Sequence, residues 1–407
     1  MSDYKGISYL QSKLAMKRPR VLLRYAFYEQ KQRASDFGIS TPQELEWFQS
    51  VNGWCTKAVD GLADRLQFDG FENDNFEMQE MFNLNNPDII FDSSLLNALI
   101  TSCSFFYISR GEDGNPRIQV VDGGNATGII DDSTNLLTEG YAVLTRDEFD
   151  QPKTYAYFQR GETWVYEVGQ QDPIAHESTG ADYAALVPVI YKPDAKRPFG
   201  HSRISRSCMS IAMSAMRTVK RSEIAAEFYS FPQKYATGLS QDAEVLDSWK
   251  ATMSAMLSFT RDDDGNSPTL GQFTQQSMQP HVEQLKAFAS MFAGETGLTM
   301  DDLGFNTANP SSAEAIKASH ENLRLAASKA QRCFGSGFVN AGYIAACVRD
   351  NYAYNRAQVY KTRVEWLPVF EPDAATLSAI GDGILKLNQA MPDYINEKRI
   401  HRMTGIK

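Results

Sequence analysis

The residues of this sequence that could carry catalysis are a serine and a few histidines. Ser202 lies in the segment 200–204, which comes close to the tight turn that presents a nucleophilic serine, but the second glycine of that turn is missing. His320 and Glu321 begin like a zinc-protease helix, but Arg324 occupies the position of the second histidine ligand. We therefore expect no catalytic residue, and a serine hydrolase that uses Ser202 is a remote alternative.

Sequence patterns for cofactors and metals are also missing. No Gly-Lys dipeptide occurs, so a phosphate-binding P-loop cannot form, and no Gly-x-Gly-x-x-Gly follows a predicted strand. The acidic turn at 262–266 lacks the alternating oxygen ligands of a calcium loop. The cysteines have no Cys-x-x-Cys spacing, which argues against a zinc site and a disulfide framework. They are Cys55, Cys103, Cys208, Cys333 and Cys347. We expect no enzyme activity, no cofactor and no metal site.

Charge and composition restrict the function classes further. The chain has 407 residues and a formal net charge of -10, whereas a protein that grips nucleic-acid phosphates over its whole surface usually has the opposite sign. Residues 1–33 and 196–221 are basic, while residues 66–109 contain acids but no Lys or Arg. These segments are either solvated faces or contacts between oppositely charged faces of neighbouring copies in a ring. No apolar run reaches the ~18 residues that a membrane span needs, so we expect no membrane partner.

Hydrophobic periodicity predicts an α+β fold. Helical spacing of Ala58, Leu62 and Leu66 behind Trp54 indicates an amphipathic helix. The predicted helices of the first half cover residues 42–71 and 93–102, and the strands cover 118–121, 141–144, 154–158 and 163–166. We expect these strands to form antiparallel hairpins with one face in water.

The second half is predicted to be mainly helical. A helix from about 204 to 229 carries small residues such as Ala212 and Ala215, which would let another helix approach closely. The capping box at 311–314 predicts the start of a long helix that continues, kinked near 335–337, to about Asp350. The other predicted elements are a helix at 279–293, a strand at 364–368 and two short helices within 373–404.

Four segments are similar in sequence to segments of one known protein family, and they occur in the same order and with the same spacing. They are Gly53–Phe71, with its Val-Asp-x-Leu-Ala-Asp-Arg-Leu run, and the stretches 188–205, 223–236 and 310–316. Together they resemble the siphophage-type head-to-tail portal proteins of tailed bacteriophages. The resemblance covers most of the chain, which makes it more specific than any one of the segments alone.

The resemblance implies a portal fold, with a mixed α/β wing, a helical stem, a small clip, a long kinked helix and a short helical crown, assembled as a ring. By position, residues 1–200 would be the wing, 201–230 the first stem helix, 231–274 the clip, 275–294 the second stem helix, 295–310 the channel (tunnel) loop, 311–366 the long wing helix with its return strand, and 367–407 the short crown.

The resemblance also implies a function. Such a protein forms a dodecameric ring at a unique capsid vertex and conducts double-stranded DNA during packaging and ejection. Its expected partners are copies of itself, DNA in transit, the major capsid protein, the terminase large subunit and the head-tail adaptor protein. Its expected location is the virion portal vertex, and the host cytoplasm during assembly. The alternative is another phage head or head-tail connector protein without a DNA channel.

The resemblance further suggests which residues could face DNA in the channel. Basic groups on the first stem helix could guide a duplex, acids near the loop could repel it, and polar loop residues could make weak, sequence-blind contacts. These candidates are Arg217, Lys220, Arg221, Asp301, Asp302, Asn306, Thr307 and Asn309. The alternative role for all of them is pairing between subunits.

Overall fold

The computed structural model describes residues 4–35, 47–230, 234–237, 267, 269–272, 277–305, 318–370, 372–392 and 394–406. Contacts divide the chain into two compact units. Unit 1 holds residues 1–32, 53–209 and 293–407, and unit 2 holds residues 33–52 and 210–292. Both helices and antiparallel strands are present, as the sequence pattern predicts.

The elements are named here in chain order. The helices are α1 (Ile7–Tyr28), α2 (Trp54–Ala63), α3 (Met78–Asn83), α4 (Pro87–Thr101), α5 (Arg206–Ser230), α6 (Gln279–Thr296), α7 (Glu321–Asp350), α8 (Ala374–Ala390) and α9 (Glu397–Thr404). The strands are β1 (Phe68–Glu72), β2 (Cys103–Arg110), β3 (Pro116–Val121), β4 (Ala126–Ile130), β5 (Leu137–Arg146), β6 (Pro152–Gln159), β7 (Glu162–Glu167), β8 (Ala175–Ser178), β9 (Leu186–Ile190), β10 (Lys234–Thr237), β11 (Thr269–Gln272) and β12 (Arg363–Trp366).

The strands of unit 1 form antiparallel sheets, which confirms the predicted hairpins. One sheet has the order β4-β5-β6-β7-β8 and another the order β3-β2-β9, while β1 pairs with β12. Helix α1 packs on the five-stranded sheet, where Leu10 and Leu14 share a buried cluster with Tyr141, Val143 and Tyr157. In unit 2, β10 and β11 form an antiparallel pair within the predicted clip.

The second half of helix α7 is the most deeply buried helical segment of unit 1, with every residue from 337 to 348 buried. A Cβ atom added at Gly337 would lie 3.2 Å from the Pro188 carbonyl oxygen of β9. The helix runs without interruption through 335–337, where the sequence pattern predicts a kink. The glycine at 337 lets the helix lie close to strand β9, because a side chain there would crowd its backbone.

Aromatic side chains hold β1, α4 and α7 together. The Phe68 and Phe91 rings stack with their centroids 3.8 Å apart, and Phe91 lies 4.6 Å from Phe338 of α7. Trp366 of β12 stacks on Phe338 at 5.8 Å. Such aromatic pairs contribute roughly 0.5–1.5 kcal/mol each beyond their burial. This cluster fixes the long helix against the sheet layer.

The helix predicted over 42–71 is too long. Residues 42–46 lie outside the described part of the chain, residues 47–53 are not helical, and α2 begins at Trp54. At the other end, Phe68 and its neighbours form strand β1, with Phe68 opposite Trp366. Local periodicity could not reveal this strand, because its hydrogen-bond partners lie near the other end of the chain. The predicted apolar stripe is confirmed, since its four members are buried: Trp54, Ala58, Leu62 and Leu66.

A buried carboxylate fixes the start of α1. Glu139 of β5 is 1% exposed and accepts hydrogen bonds from the backbone N–H groups of Lys5 and Gly6, at 2.9 and 2.7 Å. The Tyr157 hydroxyl donates to the same carboxylate at 2.7 Å. Free N–H groups at a helix start need acceptors, and here a strand supplies them.

We predict that Glu139→Ala lowers the free energy of unfolding by about 3 kcal/mol, because the buried Tyr157 hydroxyl and two partly buried backbone N–H groups lose their acceptor. Glu139→Gln keeps one acceptor oxygen and should cost less. Chemical denaturation followed by circular dichroism measures both changes. Glu112→Ala, at an exposed turn, is the control and should stay within about 0.5 kcal/mol of the parent. Equal losses in Glu139→Ala and Glu112→Ala would contradict this role.

Candidate nucleic-acid interface

The basic candidate residues lie on α5, and their environments differ. Arg217 is half-buried and its Nη2 donates to Ser214 Oγ at 2.9 Å. Arg221 is also half-buried, whereas Lys220 is completely buried. An ammonium in that position cannot reach a duplex, so the structure gives no support to Lys220 as a DNA contact. The roles of Arg217 and Arg221 stay predictions.

Helix α5 has 25 residues and is therefore about 37 Å long. In unit 2, the Thr218 hydroxyl donates to Gln284 Oε1 of α6 at 2.9 Å, which connects the two predicted stem helices. The small residues Ala212 and Ala215 are buried. The predicted second stem helix, 275–294, corresponds to α6, which continues two residues further to Thr296.

Only the first part of the predicted channel loop is described, and it forms a 3-10 turn at Asp301–Leu303. Asp302 accepts hydrogen bonds from the N–H and the hydroxyl of Thr299, both at 2.9 Å, and its own N–H donates back to that hydroxyl at 3.1 Å. Its carboxylate therefore stabilises the turn, while Asp301 is exposed. The candidates Asn306, Thr307 and Asn309 lie outside the described residues.

One buried guanidinium connects the elements around the predicted stem. Arg203, three residues before α5, is 7% exposed. Its Nε donates to the Ala58 carbonyl of α2 at 3.2 Å, and its Nη2 donates to the Thr296 carbonyl at the end of α6. The entry to α5, the exit of α6 and helix α2 therefore meet at one side chain.

Further contacts extend this junction. The Ser205 hydroxyl donates to Glu295 Oε1 of α6 at 2.7 Å and accepts from the Cys208 N–H at 3.1 Å. Trp54 lies edge-on to Phe305 at 6.4 Å between ring centroids. Sequence analysis singled out the helix of Trp54 but not these neighbours. A buried arginine between two segments distant in sequence leaves no periodic signal.

The hydrolase alternative is not supported by the geometry around Ser202. The Ser202 hydroxyl donates to the Ile100 carbonyl at 2.6 Å and accepts from the Ile204 N–H at 3.0 Å. The neighbouring His201 points its Nε2 to Asp194 Oδ2 at 2.5 Å instead. The serine therefore serves the local backbone, and no general base contacts it within the described residues.

The described residues were also compared with the requirements of a metal site, a disulfide and a membrane span. Among the described residues, no group of three or more His, Cys, Asp or Glu side chains could hold a metal ion. All five cysteines have free thiols. No helix within the described ranges is long and apolar enough to cross a membrane.

The family model for phage portal proteins of the SPP1 Gp6-like type matches residues 9–380. The chain belongs to this family. The match includes most of α1, helices α2 to α7 and all the strands named above, so both predicted stem helices and the Arg203 junction lie inside the family's region. The resemblance seen in the sequence is confirmed.

Portal proteins of two mycobacteriophages are relatives of this chain. The one from Mycobacterium phage L5 is 24% identical over 341 residues, covering 79% of this chain and 69% of the relative. The one from Mycobacterium phage D29 is 23% identical over 341 residues, with 79% and 70% covered. A solved chain from the neck of a native gene transfer agent particle, computed with C12 symmetry, covers 97% of this chain and 99% of its own length, at 12% identity and a TM-score of 0.44. A chain from the native gene transfer agent virion covers 88% and 90%, at 11% identity and a TM-score of 0.45.

The family match ends at 380, and the chain beyond it packs against other parts of unit 1. His401 Nε2 of α9 lies 2.6 Å from Asp69 Oδ2 of β1. Arg402 Nη2 donates to Glu72 of β1 at 2.9 Å and to Glu365 of β12 at 3.0 Å. The segment predicted as the short crown of this portal chain therefore contacts the β1-β12 pair through its last helix.

We predict that Arg203→Ala lowers the free energy of unfolding by roughly 2–4 kcal/mol, because two buried carbonyls lose their donor. Arg203→Lys should lose less, since one ammonium can still reach one carbonyl. Hydrogen exchange should become faster at 293–303 in both variants. Arg206→Ala is the control, because Arg206 is exposed on the first turn of α5. Unchanged exchange at 293–303 in Arg203→Ala would contradict the role of this side chain.

Proposed function

We propose that this chain forms a ring of twelve copies at one vertex of the phage capsid, with α5 and α6 around an axial channel that conducts double-stranded DNA. The observation that carries the proposal is the family match over residues 9–380, which includes both helices. In this proposal the first and second stem helices are α5 and α6, and the channel loop starts after Thr296.

The arrangement near the stem supports the proposal. Arg203 and Ser205 tie the start of α5 to the end of α6, so the segment that follows α6 leaves from a fixed position. A loop that meets moving DNA needs such a rigid base, because a displaced loop would change the width of the channel. Asp302 stabilises the first turn of that segment through Thr299.

The charge of the chain also supports passage rather than static binding of DNA. Each phosphate that is neutralised by Lys or Arg releases counterions and adds affinity, which would slow a duplex in a channel. The chain carries a formal net charge of -10, so a ring of its copies is strongly acidic. We propose that Arg217 and Arg221 guide the duplex locally and that Asp301 repels it.

Further partners belong to the same proposal. The clip, 231–274, contains the β10-β11 pair and is the natural docking surface for the terminase large subunit and later the head-tail adaptor protein. The wing contacts the major capsid protein, which places the ring at the virion portal vertex. Assembly takes place in the host cytoplasm.

The proposal predicts closed rings in negative-stain electron micrographs of the purified full chain. Class averages should show twelve or thirteen subunits around a lumen that is wide enough for a B-form duplex. A species that stays monomeric at every protein and salt concentration would count against a portal role. A ring whose lumen is too narrow for a duplex would favour the alternative, a head or connector protein without a channel.

A further inference from the structure

A groove in unit 1 carries three arginines, and no acidic residue lines it in the described part of the chain. It lies between α7, the 3-10 turn at Arg356–Val359 and β12, and encloses about 510 Å³. We call it the arginine groove. Its principal side chains are Gln331, Arg332, Arg356, Tyr360, Arg363 and Trp366. Such a groove is unusual on a chain whose formal net charge is -10.

Two polar groups of the arginine groove have unused hydrogen-bonding capacity. Arg332 is exposed, and no hydrogen bond or ion pair of its guanidinium is found among the described residues. The Gln331 Nε2 atom is buried without an acceptor in the same part of the chain. Arg356 donates its Nε to Asn340 Oδ1 at 2.8 Å, and burial lowers its pKa from the ordinary value. These donors fit a carboxylate, because guanidinium groups bind carboxylates in a planar fork.

The turn between β5 and β6 has the opposite character. We call residues 147–150 the acidic tip; its sequence is Asp-Glu-Phe-Asp. Phe149 at its apex is 84% exposed. Within the described residues the Glu148 carboxylate has no hydrogen-bond or ion-pair partner and is exposed. Aromatic side chains are enriched at protein interfaces, so Phe149 gives this turn an apolar side chain that a partner could cover, with the Glu148 charge beside it.

The acidic tip is held in shape before it meets any partner. Asp147 Oδ1 accepts from the N–H groups of Phe149 and Gln151 at 2.9 and 2.8 Å. Asp150 takes a positive φ of 60° and pairs with Arg18. Two of the three acids are thus used in building the turn, and Glu148 is left to reach outward. A pre-formed segment loses little entropy on binding.

The tip and the groove lie too far apart to meet within one chain. Asn340, which holds Arg356, donates to the Thr134 carbonyl at 2.9 Å, just before β5 begins. The acidic tip follows the opposite end of β5, which is ten residues long and therefore roughly 30 Å from end to end. Complementary surfaces at separate places on one subunit produce head-to-tail contacts, and such contacts form a ring when the rotation between successive copies closes.

We propose that the acidic tip of one copy inserts into the arginine groove of the next copy, with Glu148 on Arg332 and Phe149 against Tyr360 and Trp366. The proposal rests on the proposed ring and names the surfaces that join its subunits. Aromatic and arginine side chains at the centre of an interface usually dominate its affinity. Opposite charges select the correct neighbour and orientation.

The test is the assembly of full-length charge-reversal variants, followed by native mass spectrometry over a range of protein concentrations. We expect Glu148→Arg and Arg332→Glu each to raise the apparent dissociation constant of the ring about tenfold or more. Phe149→Ser should do the same through loss of its apolar contact. Matched controls are Glu112→Arg and Arg160→Glu, which alter exposed charges in two other hairpin turns and should assemble like the parent.

Mixing the two charge-reversal variants gives the decisive measurement. In a ring where the two variants alternate, the altered tip of Glu148→Arg meets the altered groove of Arg332→Glu. The unaltered tip of Arg332→Glu meets the unaltered groove of Glu148→Arg. An equal mixture should therefore recover rings, and rings with an even number of subunits should contain both variants in equal numbers. Misfolded chains could not show this recovery, so it separates a lost contact from a lost fold.

Each outcome decides the inference. If the parent forms rings and the charge-reversal variants assemble equally well, the tip-and-groove contact is overturned. The same holds if the parent forms rings and the mixture of the two variants does not. In both cases the proposed function stands. Variants that form normal rings but no longer bind purified major capsid protein would assign the tip to that partner and overturn the contact between copies. A parent chain that never forms rings overturns the proposed function as well.

Discussion

The residues just before α5, the end of α6 and helix α2 are held together by one buried guanidinium. Arg203 would be costly to bury alone, because a desolvated charge loses several kcal/mol of hydration. It is stable because carbonyls of α2 and α6 accept hydrogen bonds from its N–H groups. Any shift of α2 relative to the end of α6 would leave part of this charge unsatisfied. The arginine therefore sets where α5 begins and where the segment after α6 departs.

The contacts around Arg203 explain why helix α2, which carries the family's sequence motif, matters. The apolar stripe of α2 by itself predicts ordinary core packing, and the structure confirms that Ala58 and Leu62 are buried. The same helix also carries specific contacts, since a Cβ atom on Gly61 would lie 3.5 Å from Leu298. Trp54 reaches Phe305 from the same helix. Helix α2 thus supports the start of the predicted channel loop, and its sequence must fit that loop as well as the core.

Sequence reasoning found the elements that local pattern determines. Strands β3, β5, β6 and β7 contain runs of β-branched and aromatic residues between turn residues, and the long helices repeat at helical spacing, so the sequence predicts both. It missed what depends on distant partners. Strand β1 exists because Phe68 pairs opposite Trp366, and Lys220 is buried although its neighbours in sequence predict an exposed basic face. Asn306, Thr307 and Asn309 lie outside the described residues and stay predictions.

The sequence suggests two explanations for the uneven charge of the chain, solvated faces and contacts between copies. Contacts inside the chain are a third explanation. Some basic side chains of segment 1–33 make contacts within the chain, and not with solvent or a neighbouring copy. Lys13 Nζ donates to the Gly128 carbonyl at 2.7 Å, and burial lowers its pKa. Lys17 Nζ lies 5.7 Å from the centre of the Phe199 ring, close enough for a cation–π contact. A run of like charges on a helix therefore does not locate an interface. The proposed contact instead uses Glu148, beside the exposed Phe149, and Arg332 in the arginine groove, although neither stands in the most charged segment.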